Sequence, residues 1–360
     1  MNLHCYKYRF PLKARHQNSR KTFKKREGFI LEYSSGNAHF WGEAAPLPGY
    51  SIESLADVEN FLTIHKKEIH SALEAKGPIY SIQHFFERFE DLPYSVQFGL
   101  DSLAYQLEAY EEKKSLKRYL FPDALNKIPV NALLSLHSQD LLTTIKKRVA
   151  NGFETIKFKV GIEFKQEYKQ LQKIRSEFPN LKIRLDANQA WSLKETLEHC
   201  SQLSALNIEF CEEPLREVSP ENFEILSQHC NIPFALDESI INCSYWPNLL
   251  PFTSYIILKP MFLGDFTTIF ETKRLADTHD NKSVFTTSLE SSVGRQITAI
   301  LASGWGTIDT AHGLATGSLL ERDVHSESMY IKDGYMYFKL SDHSLGIDPR
   351  QLEQVSKRIF

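Results

Sequence analysis

The sequence lacks most of the motifs that point directly to a function. It holds no C-x-x-C pair, no H-E-x-x-H segment and no EF-hand loop. That removes the usual soft-metal cages, the zinc-hydrolase helix and the dedicated calcium loop. Cysteine is scarce: Cys5, Cys200, Cys211, Cys230 and Cys243 are the only five. Their number is odd, and reduced thiols in a cytoplasmic protein are the simplest reading. No run approaches the ~18 apolar residues of a membrane span. The opening "MNLHCYKYRFPL" alternates like a strand, without the apolar centre or cleavage site of a leader peptide. An excess of one charge is missing too. Lys and Arg number 42 against 45 Asp and Glu, a net charge of -3, which excludes the electrostatic footprint of a nucleic-acid binder. The one basic run, "RKTFKKR" from Arg20 to Arg26, reads as a solvated loop or hairpin tip. Low-complexity tracts and long linkers are also absent.

What remains is an ordinary globular mixture, 42% hydrophobic and 24% charged over 360 residues, with length for one large barrel and a smaller domain. The first 115 residues read as a small α+β domain. Strand-like "NLHCYKYRFPL" and "GFILEYSS" precede a Pro- and Gly-rich loop, "WGEAAPLPGYSIES". Helical patterns follow, and in the last of them Val96, Leu100, Leu103 and Leu107 recur at helical spacing. Residues 116–320 change texture. Short apolar runs, "IPVNALLSL", "TIKFKV", "KIRLDA", "IEFCEE", "PFALDE", "YIILKP", "SVFTTS" and "TIDTAH", alternate with amphipathic stretches. Eight such runs predict an α/β fold of the (β/α)8 type, a modified TIM barrel, with a doubly wound sheet as the other arrangement to weigh. The helix between "PFALDE" and "YIILKP" must be short. Residues 321–360, with the strand pair in "YIKDGYMYFKL", are expected to pack back on the first domain.

Charged residues end these runs in register. From Lys159 to Asp186 is 27 residues, to Glu212 another 26, to Asp237 another 25 and to Lys259 another 22. Each step is one βα unit, so all five should stand at the C-terminal ends of successive strands, where barrels build active sites. A single charge there is usually a solvated loop boundary, but five in register are not so easily dismissed. Three converging carboxylates repel one another unless a cation neutralises them. An all-oxygen set of Asp186, Glu212 and Asp237 suits Mg²⁺. Asn188, two residues beyond Asp186, is placed to reach the metal shell. Glu213 and Glu238 should face away and form ion pairs with neighbouring strands. In "ETIKFKVG", Lys157 and Lys159 lie two apart and therefore on one face of a strand. A second ammonium lowers the pKa of the first, so Lys157 is expected to help make Lys159 a base. Lys259 arrives from across the barrel. Two opposed lysines beside a carboxylate-held Mg²⁺ suit removal of a proton α to a carboxylate.

Taken together, "KFKVG", "RLDANQAW", "EFCEEP", "LDES", "ILKP", "TTSLESSVG" and "GEAAPLPGYSIES" resemble the muconate-lactonizing subgroup of the enolase superfamily over nearly the whole chain. "GEAAPLPGYS" and "SLESSVG" are most similar to the branch that makes o-succinylbenzoate for menaquinone biosynthesis. The resemblance implies that the first domain caps the barrel. It implies Lys159 as general base with Lys157 beside it, and Mg²⁺ on Asp186, Glu212 (the first acid of its pair) and Asp237. Lys259 would face the other side of an enediolate. The reaction implied is syn dehydration of 2-succinyl-6-hydroxy-2,4-cyclohexadiene-1-carboxylate. The succinyl carboxylate is then expected near Thr286, Thr287, Ser288 and Glu290, although a hydroxyl-rich strand end also caps helices. The loops around Arg20 to Arg26 and Pro46 to Tyr50 are expected to close the mouth, bringing Arg20 or Lys21 to the anionic substrate. Dipeptide epimerases of the subgroup carry D-x-D on the eighth strand, whereas here Asp309 is followed by Ala311. N-succinylamino acid racemases use the same lysine pair and stay open as the alternative. So does a barrel that binds metal without turnover, although binding alone needs no opposed bases. The expected partner is a small carboxylate, not a nucleic acid or membrane, and homo-oligomerisation is left open.

Overall fold

A computed structural model describes residues 1–17, 22–324, 329–338 and 345–360. Alternation at the N-terminus makes a meander: β1 (Asn2–Gln17), β2 (Thr22–Ser35) and β3 (Ala38–Ala44), all antiparallel. Three helices cover it, α1 (Leu55–Glu74), α2 (Pro78–Phe86) and α3 (Tyr94–Glu111). Ser54 and Asp57 start α1 with reciprocal side chain–backbone hydrogen bonds, and Pro78 occupies the first turn of α2, where its missing N–H costs nothing. α3 lies so close on β3 that a Cβ at Gly42 would sit 2.1 Å from the Gly99 carbonyl oxygen. Only glycine allows that approach. Val96, Leu100, Leu103 and Leu107 are buried in the core of this domain, as their spacing predicts. The other side of α3 is buried as well. There Asp101 accepts from Gln83 Nε2 at 2.9 and 3.0 Å and from the backbone N–H of Phe266 at 2.7 Å, tying the domain to a later helix, Phe266–Asp277.

After β4 (Lys127–Pro129) come seven parallel strands: β5 (Ala132–Ser135), β6 (Thr155–Lys159), β7 (Lys182–Asp186), β8 (Ile208–Glu212), β9 (Phe234–Leu236), β10 (Tyr255–Leu258) and β11 (Lys282–Phe285). They pair in chain order. Ile156 and Phe158 of β6 are fully buried toward the helices, while Lys157 and Lys159 line an internal cavity. The expected strand in "TIDTAH" does not form as written. Thr307 to Thr310 make a turn, and the closing contact falls later, on His312 and Gly313. His312 bridges Val130 and Gly313 bridges Thr286, both parallel. A Cβ at Gly313 would lie 2.6 Å from Cγ2 of Thr286, so the curled sheet closes through a seam only two residues wide. Between β9 and β10 the helix is indeed short, Glu238–Asn242, followed by a 3₁₀ segment.

The barrel interior is small. Phe210, Ala235, Tyr255, Ile257 and Val284 form its apolar plug. Fully buried Arg184 lies over the Phe210 ring at 4.8 Å, pairs with Glu209 at 2.7 Å and donates to the Ala311 carbonyl at 2.6 Å. One guanidinium thus joins β7, β8 and the closing seam. The C-terminal segment divides its pairing. The hairpin of β12 (Met329–Lys332) and β13 (Tyr335–Phe338), expected on the first domain, pairs instead with β4 beside the barrel. β14 (Ser356–Arg358) adds to the free edge of β1. Arg26, read as part of a solvated tip, is 1% exposed. It donates to the carbonyls of Ala45 and Pro46 and so pins the start of the Pro-rich loop. Backbone carbonyls give a buried guanidinium the partners that water would otherwise supply.

Leu103→Ala deletes buried methyls inside the first domain and is expected to lower unfolding stability by about 2–5 kcal/mol, measured in urea; a loss no larger than that of an exposed-site control would contradict this placement.

Candidate active site

The strand register sets the site. Lys159 pairs across to Asp186, and Asp186 to Glu212. Glu212 pairs to Ala235, which puts Asp237 two residues further along the same side. Lys259 directly follows β10 and Thr286 directly follows β11. Asp186, Glu212 and Asp237 are 3%, 0% and 4% exposed, so their charges have little water to screen them.

The countercharge comes first from Lys157. Its Nζ lies 2.9 Å from Oδ2 of Asp186 and 2.7 Å from both oxygens of Glu212. Burial alone would depress this ammonium, but Asp186 and Glu212 outweigh burial and raise its pKa. Lys259 forms a short ion pair with Asp237, and its pKa too is raised: burial opposes its charge, but Asp237, Glu238 and Glu212 prevail. Burial pushes Asp186 up, yet Lys157 and Lys159 pull it below the usual carboxylate range. Glu212 goes the other way. Burial and then Asp186 hold it well above that range, and Lys157 does not compensate fully. Lys157, expected to help make Lys159 a base, has its direct partners in these two acids. Its ammonium is bound by two carboxylates from adjacent strands.

Among the described residues, no three Asp, Glu, His or Cys side chains converge closely enough to hold an ion with their present side-chain positions. Ammonium groups sit against the carboxylates instead. The donor set nonetheless suits a hard divalent cation: buried carboxylate oxygens on three neighbouring strands, with Glu212 still short of positive charge.

The neighbours of the three acids are not ion-paired as the sequence suggests. Glu213 has a left-handed φ of 42° and is fully buried. It accepts from the N–H of Asp237 at 2.7 Å, the N–H of Ser239 at 2.8 Å and the Ser239 hydroxyl at 2.8 Å. These bonds fix the backbone turn that presents Asp237 and offset the strain of the conformation. Glu238 Oε1 accepts from Asn188 Nδ2 at 2.9 Å and from the Tyr50 hydroxyl at 3.2 Å, while its Oε2 is buried without a partner among the described residues. Burial, reinforced by Asp237, pushes its carboxyl up to about 8. Asn188, expected at the metal shell, is thus turned toward Glu238.

One cavity brings together Lys157, Lys159, Asp186, Glu212 and Lys259, and Thr286, Thr287 and Ser288 form another part of its wall. Asp237 borders a smaller neighbouring space with Glu238, Tyr50 and Lys259. Glu290 lines neither; its Oε1 accepts from the Ser288 N–H at 2.9 Å and hydroxyl at 2.6 Å, behind the wall. Arg20 and Lys21 lie outside the described residues. Leu47 and Tyr50 bring the Pro-rich loop to the cavity. The Tyr50 ring stacks on Phe262 at 6.0 Å, and Lys259 Nζ lies 5.1 and 5.9 Å from the two ring centres. This aromatic cradle for an ammonium has no motif. Its one sequence signal is the nearness of Phe262 to Lys259.

Residues 140–351 match the family described as Enolase C-terminal domain-like, and residues 1–107 match that described as MenC, N-terminal domain. The chain belongs to the enolase superfamily. It is 28% identical over 323 residues to an o-succinylbenzoate synthase of Pectobacterium atrosepticum, covering 89% of this chain and 91% of that one. A superfamily member from Listeria innocua superposes with a TM-score of 0.84 at 20% identity, covering 99% of this chain and 96% of its own. An N-succinyl Arg/Lys racemase from Bacillus cereus superposes at 0.83 and 18% identity, covering 99% and 97%. At these identities the structures attest the shared fold, a modified TIM barrel with its strand-rich cap.

Lys157→Met leaves Asp186 and Glu212 buried without their ammonium. The variant is expected to lose about 3–5 kcal/mol of unfolding stability in chelator and to regain part of it when Mg²⁺ is added. A melting curve identical to that of the parent in chelator would refute the ion-pair assignment.

Proposed function

We propose that the chain is a Mg²⁺-dependent carbon–oxygen lyase that dehydrates 2-succinyl-6-hydroxy-2,4-cyclohexadiene-1-carboxylate to o-succinylbenzoate, in menaquinone biosynthesis. The observation that carries the reading is the pair Lys159 and Lys259. Lys159 ends β6 and Lys259 follows β10, four strands further on in the seven-stranded parallel sheet, and both line one cavity bordered by buried carboxylates. Similarity to o-succinylbenzoate synthases along 89% of the chain supports the substrate. Five free thiols suit a reducing cytoplasm.

In this reading Lys159 Nζ takes the proton α to the ring carboxylate, and the C–H electron pair becomes an enediolate. The same Nζ, now an ammonium, returns the proton to the departing hydroxyl. The C–O bond breaks, water leaves and the ring becomes aromatic. One lysine serves both steps, so proton and hydroxyl leave from one face. Lys259, kept charged by Asp237, faces the other side and stabilises the developing anion, with Tyr50 and Phe262 holding its ammonium. Asp186, Glu212 and Asp237 would hold Mg²⁺, which when bound supplies Lewis-acid stabilisation of carboxylate oxygens. Thr286, Thr287 and Ser288 line the wall that would meet the succinyl carboxylate, and of the three the Thr286 hydroxyl has no partner among the described residues; Leu47 and Tyr50 keep water out.

A second reading is racemisation of N-succinylamino acids. Opposed lysines can exchange a proton on either face of one carbon, and the fold is shared with a racemase. Ala311, where epimerases of the subgroup place an acid, speaks against dipeptides. The deciding test is turnover of the cyclohexadiene substrate, followed by the ultraviolet absorbance of the new aromatic ring, beside a panel of N-succinylamino acids and dipeptides. Dehydration should exceed every other reaction, vanish in chelator and return with Mg²⁺. Faster racemisation than dehydration, or full activity in chelator, would overturn the assignment.

A further inference from the structure

The wall of the cavity at the end of β11 is strained. Leu289, between Ser288 and Glu290, has φ of 65°, a left-handed conformation that a branched side chain adopts only when its surroundings impose it. On one side, the Thr287 hydroxyl is bonded to that of Thr316 at 2.5 Å. On the other, the anchor comes from the cap. Glu43, on β3, is 0% exposed and has four donors. Its Oε1 accepts from the Tyr8 hydroxyl at 2.6 Å and the Ser291 N–H at 2.9 Å. Its Oε2 accepts from the Ser291 hydroxyl at 2.6 Å and the Gly294 N–H at 2.8 Å. Three of these donors belong to the first turn of the helix Ser292–Trp305 and its cap Ser291. The arrangement has no slack: a Cβ at Gly294 would come within 3.0 Å of Glu43 Oε2 and of Glu290 Cβ and Cγ. Glu290 in turn holds Ser288 by its N–H and hydroxyl.

We propose that Glu43 is a positioning residue for substrate: from the cap, through Ser291 and Glu290, it imposes the strained Leu289 turn that sets Thr287 and Ser288 in the cavity wall. The cap then shapes the substrate wall of the barrel as well as covering it. The consequence for substrate rests on the dehydratase reading above; the mechanical part does not.

The test compares Glu43→Gln with Asp101→Asn. Asp101 also ties cap to barrel, through Phe266, but is not among the partners of Ser291 or Gly294 at the helix start after β11. In Glu43→Gln an amide N–H₂ faces donors, so bonds to the helix start are lost. KM for the cyclohexadiene substrate should rise about tenfold or more while kcat falls less than about threefold. In the free protein, amide hydrogen exchange over residues 286–294 should quicken. Asp101→Asn, compared at equal loss of melting temperature, should move neither. An unchanged KM in Glu43→Gln, or an equal rise in Asp101→Asn, would overturn the proposal. If Glu43→Gln does not fold, Ser291→Ala, which keeps the carboxylate and removes one donor, must raise KM in the same direction; an unchanged value would be equally fatal. If the parent protein does not dehydrate the substrate, the functional reading fails. The exchange data then decide the role of Glu43 alone, and exchange no faster than in the parent would refute it.

Discussion

Everything at the mouth of this barrel depends on neutralising three carboxylates that have little exposure to water. Asp186, Glu212 and Asp237 end adjacent strands and are almost fully buried. An unpaired charge in that position costs several kcal/mol. Lys157 meets two of the acids and Lys259 the third. Glu212 still sits above the normal carboxylate range, so the site remains short of positive charge and fits a divalent cation. This balance also sorts the lysines. Lys157 is bound between two acids and Lys259 is held charged, while Lys159 lines the cavity at the end of the same strand as Lys157.

The sequence makes the barrel and its charged rim legible because both follow from a period. Strand ends recur every 22 to 27 residues, and the acids and lysines recur with them. What it hides depends on register or on contacts between distant segments. Alternation puts Lys157 and Lys159 on one face, but only the pairing of β6, β7 and β8 brings Asp186 and Glu212 to Lys157. Glu213 looks like an outward acid; its left-handed backbone turns it inward onto the N–H groups of Asp237 and Ser239. Asn188 is drawn from the metal shell to Glu238 by the same kind of turn. The closing seam is hard to read because two residues, His312 and Gly313, replace a full strand. Arg26 belongs to a basic run by sequence and to the interior by structure, since two carbonyls of the Pro-rich loop lie within its reach.

The cap meets the barrel through a few buried polar links instead of a broad apolar face alone. Arg26 fixes the start of the loop that carries Leu47 and Tyr50. Tyr50 reaches Glu238 and, with Phe262, flanks Lys259. Asp101 and Glu43 grip two separate barrel helices. Buried links of this kind contribute modestly to net stability but lose much when one partner is removed. They are therefore suited to holding geometry, and here each one ends at or beside the cavity or a helix that frames it.

The central claim is that Lys159 moves the proton and Lys259 stabilises the anion. Its most direct test is α-proton exchange in deuterated water, read by mass spectrometry. Lys159→Ala should abolish deuterium incorporation at the carbon α to the carboxylate. Lys259→Arg, which preserves the charge, should retain measurable incorporation. Exchange that survives in Lys159→Ala and disappears in Lys259→Arg would contradict the account.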